Sequence, residues 1–66
     1  MKVVINGNTV ELPGGATAAD AVRTLTSAHS GVAISINDEV VSRSAWESTP
    51  LSEGDRVEVL TAVQGG

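Results

Sequence analysis

Lys2-Val3-Val4-Ile5-Asn6-Gly7-Asn8-Thr9-Val10-Glu11-Leu12 is the stretch from which the rest of the chain can be read. Residues 2–6 and 9–12 are rich in β-branched and apolar side chains. Asn6-Gly7-Asn8 between them tolerates positive φ, so the stretch predicts a β-hairpin. Val3 and Ile5 on one arm then share a face with Val10 and Leu12 on the other. Pro13-Gly14-Gly15 breaks the pairing. Thr17 is a good helix N-cap with Asp20 at N3, a variant of the capping box that places negative charge near the helix N-terminus. Ala18, Ala21, Val22, Leu25 and Ala28 follow at helical spacing, with Asp20, Arg23, Thr24 and Ser27 on the other side. Ser30-Gly31 reads as the glycine-type end of that helix.

Beyond it, Val32, Ile34 and Ile36 alternate with Ala33, Ser35 and Asn37, a strand with one buried face. Asn37-Asp38 turns the chain into a short strand around Glu39-Val40-Val41. Residues 42–55 are irregular, with a brief helical turn at Ser44-Ala45-Trp46. Glu53-Gly54-Asp55 is a tight turn before a last strand from Arg56 to about Thr61. Two strands, one helix and further strands make an α+β domain of two layers, the helix covering one sheet face and the other face open to water or partners.

Size and composition narrow what such a domain can do. Its 66 residues contain no cysteine and one histidine, so disulfides and thiolate metal sites are excluded and packing must supply the stability. Four basic residues face eight acidic ones, a net charge of −4. Lys2, Arg23, Arg43 and Arg56 form no stripe, and Trp46 is the single aromatic, which argues against nucleic acid and for basic protein partners. No stretch reaches membrane-spanning length and the first apolar run is too short for a signal peptide, so a cytoplasmic location is expected. No Ser/His/Asp set and no phosphate-binding glycine loop is legible, so the chain reads as a passenger and not as an enzyme.

The chemistry sits at the other end, in Val63-Gln64-Gly65-Gly66. Two glycines without side chains can thread a narrow channel and present an unhindered carboxylate. Residues 62–66 are expected to form a flexible diglycine tail on a domain spanning residues 1–61. In the last strand Val57, Val59 and Thr61 share one side, while Arg56, Glu58, Leu60 and Ala62 share the other. If the valines face the helix, Leu60 points outward beside the tail, either as an ordinary surface leucine or, with Glu58, as a grip for a partner protein. Trp46 reads as a seal at the core edge or as an interface residue. Asp38 and Glu39 read as a solvated turn, Asp55 as a turn-shaping residue, and His29 as a partner for the helix C-terminal dipole.

Several segments together resemble the ThiS-type sulfur carriers of thiamine biosynthesis, small ubiquitin-like β-grasp domains. They are Ile34-Ser35-Ile36-Asn37, then Val41-Ser42-Arg43 with Trp46, then Leu51-x-x-Gly54-Asp55-x-Val57-Glu58, and finally Ala62-Val63-Gln64-Gly65-Gly66. The resemblance covers nearly the full length. It implies a mixed sheet of four to five strands in β-grasp order, with the first and last strands parallel and central. It also implies that Gly66 is the attachment point, first of an adenylate and then of a thiocarboxylate, while Ala62, Val63, Gln64 and Gly65 enter a partner's active site. An ionised carboxylate, with a reference pKa near 3.5, is a poor acyl donor until ATP converts it to a mixed anhydride.

The implied partners are a ThiF-type adenylyltransferase that consumes ATP, a sulfur-donating enzyme and a ThiG-type thiazole synthase; no cofactor and no metal is bound by the chain itself. Other carriers share this end chemistry, among them the small subunit of molybdopterin synthase. Residues 51–66 lack the aromatics and prolines usual before the diglycine there. A β-grasp interaction module with an inert tail and a protein-conjugated modifier are further alternatives.

Overall fold

The computed structural model describes residues 1–27 and 31–61. Five strands form one mixed sheet: β1 (Lys2–Ile5), β2 (Asn8–Glu11), β3 (Val32–Ile36), β4 (Glu39–Val41) and β5 (Arg56–Thr61), in the order β2-β1-β5-β3-β4. β1 and β5 run parallel, and every other neighbour pair is antiparallel. This is the order that the resemblance implied, with the last strand at the centre.

Both hairpins close through two-residue loops. Ile5 pairs with Asn8 and Ile36 with Glu39, leaving Asn6-Gly7 and Asn37-Asp38 as the turn residues. All four have positive φ (51°, 84°, 51° and 71°), the pattern of a type I′ turn, whose twist suits the flanking strands. The first turn is therefore tighter than expected, and Asn8 already belongs to β2. Leu12 lies just past β2, yet it is buried, held by a bond from its N–H to the Met1 carbonyl at 2.8 Å.

Helix α1 (Ala18–Arg23) is shorter than the periodicity suggests. Its start is as expected. The Asp20 carboxylate accepts the Thr17 backbone N–H at 2.8 Å and the Thr17 hydroxyl at 3.3 Å. Its end is not, because Thr24 caps the helix six residues in, and the Thr24 hydroxyl donates to the Ala21 carbonyl at 2.7 Å. Thr24-Leu25-Thr26-Ser27 is a run in which three hydroxyl side chains compete for backbone partners, and that competition favours a turn over further helix. Leu25, expected in the core, is 51% exposed, since the helical register that would have buried it has already ended. Ala28, His29 and Ser30 lie outside the described residues.

Ala18, Ala19, Ala21 and Val22 cover one sheet face and pack on Val3, Ile5, Ile34, Val57 and Val59. Small helix residues let the backbone approach the sheet closely at little cost in side-chain entropy. Trp46 is buried, and its indole N–H donates to the Val41 carbonyl at 3.1 Å, so the core-edge reading holds. The 3-10 helix around it, Arg43–Ser48, is longer than the brief turn expected.

Part of the core came from the irregular region. Leu51 and Ala16 are both buried, and the Leu51 N–H donates to the Ala16 carbonyl at 2.9 Å. The Ala18 N–H donates to the Thr49 carbonyl at the same distance, so residues 49–51 stitch the helix entry to the second half of the chain.

The Asp20 carboxyl is held below its ordinary pKa chiefly by the Thr17 N–H, against desolvation, which raises it, and with further help from the Thr17 hydroxyl and Arg23. A group whose folded pKa is depressed contributes stability above its unfolded pKa and loses it as pH falls through the folded value. Asp20→Ala is therefore expected to destabilise the domain by about 0.5–1 kcal/mol at neutral pH, a modest figure because the site is solvent-screened. Urea melts of both proteins should converge as pH drops below the ordinary carboxylate range. A gap that persists there would mean that the contribution comes from something other than the ionised carboxylate.

Candidate functional site

β5 is the last element of the described residues. Its valines face the helix, with Val57 and Val59 buried, so Arg56, Glu58 and Leu60 point to the open face. Leu60 is 70% exposed there. Register places Ala33 directly opposite Leu60, and Ser35 between Glu58 on one side and Val40 on the other. Val40 is 82% exposed. Ala33, Ile34, Ser35, Val40, Glu58 and Leu60 thus line a shallow depression of about 120 Å³. Sequence reading found Leu60 and Glu58 in this patch but not Ala33 and Val40. Their alternation was visible, but that β3 sits between β5 and β4 was not.

The patch combines apolar surface with one uncommitted charge. The ion pairs among the described residues join Met1 to Glu11, Arg23 to Asp20 and Glu47, and Arg56 to Asp38, and they leave Glu58 out. A contiguous apolar patch beside an unpaired carboxylate suits a partner that offers apolar side chains and a cation.

The turn at the base of β5 is built as expected. Asp55 accepts the Ser52 N–H at 2.8 Å and the Asn37 amide at 3.0 Å, and Gly54 turns the chain at φ 84°. Asp38 is tied to Arg56 at 2.7 Å. Among the described residues no three His, Cys, Asp or Glu side chains gather as metal ligands, and no helix is long and apolar enough to cross a membrane.

On the helix side, a groove of about 260 Å³ runs between α1 and the Arg43–Ser48 turn, with the Arg43 guanidinium 5.8 Å from the centre of the Trp46 ring. It lies across the sheet from the Leu60 patch. Ala62, Val63, Gln64, Gly65 and Gly66, the residues expected to carry the chemistry, lie outside the described residues.

The chain is similar to known proteins along its whole length. The model of the ThiS family matches residues 3–66. Threonine–tRNA ligase of Chlamydia caviae is 39% identical over 61 residues, which are 92% of this chain but 9% of the ligase. The sulfur carrier protein ThiS of Escherichia coli is 24% identical over 66 residues, the whole of both chains.

Two solved structures of a thiamine biosynthesis protein from Geobacter metallireducens share the fold. The crystal structure, of the thiamine biosynthesis protein ThiS, has a TM-score of 0.77 at 28% identity over all of both chains. The solution structure has a TM-score of 0.81 at 30% identity, over all of this chain and 88% of the other. The fold is the β-grasp, and since the family match runs from the first strand through the closing diglycine, the chain belongs to the ThiS family.

Proposed function

We propose that this protein is a sulfur carrier for thiamine biosynthesis, working through the carboxylate of Gly66. The observation that carries the reading is the family match, which extends through Gly65-Gly66 and does not stop at the folded domain. In the proposed cycle a ThiF-type enzyme joins the Gly66 carboxylate to the AMP part of ATP and releases pyrophosphate. A sulfur-donating enzyme then supplies sulfur at the sulfide level, which attacks the acyl carbon, displaces AMP and leaves a thiocarboxylate on Gly66. A ThiG-type thiazole synthase takes that sulfur in exchange for an oxygen, from water or from the acceptor's carbonyl, which restores the carboxylate. The chain binds no cofactor and catalyses none of these steps. Its own contribution is to hold the tail at the end of β5, with Ala62, Val63, Gln64 and Gly65 as the part that enters the partner's active site.

The test is intact mass after incubation with a ThiF-type enzyme, ATP and a sulfur source. A gain corresponding to one oxygen replaced by sulfur, localised to Gly66, supports the reading. An unchanged mass with an enzyme known to be active would sink it.

In this scheme the adenylating enzyme grips Leu60, with Ala33 and Val40 beside it and Glu58 meeting a basic residue. Leu60→Glu is expected to raise the KM for adenylation about tenfold, the effect of a central apolar anchor. Being on the surface, it should change stability by no more than about 0.5 kcal/mol. Steady-state adenylation kinetics and a thermal melt check both halves. An unaltered KM would remove this patch from the interface.

One comparison favours a second reading. The similarity to a segment of a much larger ligase shows that related sequence also occurs within a longer protein. A non-catalytic interaction module with an inert tail fits that observation, and the mass experiment decides between the two.

A further inference from the structure

Asn6 does something in this fold that neither its turn position nor the proposed cycle requires. The parallel ladder between β1 and β5 ends at Ile5 opposite Val57, with the Asn6 N–H donating to the Val57 carbonyl at 2.9 Å. There the chain turns away into β2, and the next stretch of β5 would lose its neighbour on that side. The Asn6 side chain replaces it. Its Oδ1 accepts the Val59 N–H at 2.8 Å, and its Nδ2 donates to the Val59 carbonyl at 3.1 Å. One amide side chain thus extends the ladder by a further register step, using both backbone groups of the residue just before Leu60.

Asn37 provides an internal comparison. It occupies the same position in the other hairpin, has the same φ of 51°, and also reaches β5. Its Oδ1 accepts the Arg56 N–H at 3.0 Å, and its Nδ2 donates to Asp55 at 3.0 Å. β1 is parallel to β5 and β3 is antiparallel to it, so the two turns fall at opposite ends of β5. Asn37 holds the start of the strand; Asn6 holds the part that leads into Leu60, Thr61 and the tail.

We infer that Asn6 is a positioning residue for docking: its two bonds to Val59 hold the end of β5, the root from which the chain continues past Thr61, and with it the direction of Leu60. The functional half of this inference rests on the carrier reading above; the structural half does not. Only the fraction of molecules with a correctly held root is ready to dock, and apparent affinity falls in proportion to that fraction. Once docked, the reacting carboxylate is unchanged. Loss of the clamp therefore acts on KM and spares kcat.

Asn6→Gly and Asn37→Gly make a matched pair. Glycine keeps positive φ at both turns, and each substitution deletes two side-chain hydrogen bonds from one end of β5. Amide hydrogen exchange is read first. Asn6→Gly should accelerate exchange at Val59, Leu60 and Thr61 about tenfold or more relative to Val57, the response to an opened buried N–H. Asn37→Gly should leave those three amides in step with global stability. In adenylation kinetics, Asn6→Gly should then raise KM about fivefold with kcat within a factor of two, and Asn37→Gly should change neither.

Equal exchange at Val59 in the two variants, or equal effects on KM, would overturn the inference and leave Asn6 as a turn residue only. Should Asn6→Gly fail to fold, the wild-type protein decides, because a clamped Val59 amide exchanges as slowly as Val57 and an unclamped one as fast as the exposed turn amide of Gly14. If the wild-type chain is not adenylated at all, the carrier reading falls, while the exchange data still report on the clamp.

Discussion

Deleting Gly65 and Gly66 is expected to abolish sulfur loading completely while leaving the folded domain intact. Among the described residues the buried core runs from Val3 to Val59, and the deletion removes two residues that have no side chains to bury. The chemistry has the opposite dependence. A chain ending at Gln64 would present its carboxylate on a residue with a long side chain, and two residues short of the partner's reacting atoms. Each residue spans about 3.3–3.6 Å at most, so the shortfall approaches 7 Å. Misplacement by as little as 1 Å can cost two orders of magnitude in rate, and a gap of this size leaves no near-attack geometry. Intact mass after treatment with enzyme, ATP and sulfur source, alongside a thermal melt, gives the answer. Full loading of the truncated chain would disprove the role of Gly66. Loss of the fold would show that the tail has a structural part instead.

Gly66→Ala is the milder companion. It keeps the length and the carboxylate but adds one methyl group where the channel is proposed to be narrow. Its loading should fall without disappearing, since the chemistry remains possible and only the fit is impaired. Comparing it with the deletion separates the need for reach from the need for a bare backbone.

How much of this was open to a reader of the sequence depends on how local each determinant is. Asn6-Gly7 and Asn37-Asp38 declare their hairpins through residues that accept positive φ, and the alternation of Val32, Ile34 and Ile36 declares a half-buried strand. The helix end was hidden because the apolar spacing continues through Leu25 and Ala28. What ends the helix is the hydroxyl chemistry of Thr24 and its neighbours, which periodicity ignores. Leu51 and Ala16 were hidden for a different reason: they are buried by a contact between two segments without regular structure, and nothing local signals it. The Leu60 patch was half legible and the Asn6 bonds to Val59 were not, both for one reason. Which residues of β5 face outward follows from its own sequence, but what lies beside them follows from strand order.

Strand order also marks places where the domain is vulnerable, and Ile34 is one of them. It sits in β3 between Val59 of β5 and Val41 of β4, faces the helix, and is 1% exposed. Ile34→Ala should cost about 2–5 kcal/mol, the lost transfer energy of the side chain plus the cavity it leaves. The helix above is built largely from alanines and cannot lean in to fill that cavity, so the upper part of the range is expected. A domain of this size rarely has more than about 3–5 kcal/mol in hand from a single core. At roughly 4–8 °C per kcal/mol, Tm should fall by at least about 10 °C, and circular dichroism at 37 °C should show a substantial unfolded fraction. Ile34→Val, which trims one methylene, should cost only about 0.5–1.5 kcal/mol. Val40→Ala, one strand away and on the open face, should stay within about 0.5 kcal/mol. The ranking is the test: a loss at Val40 as large as that at Ile34 would mean that the open face of the sheet is itself buried in solution, against another surface.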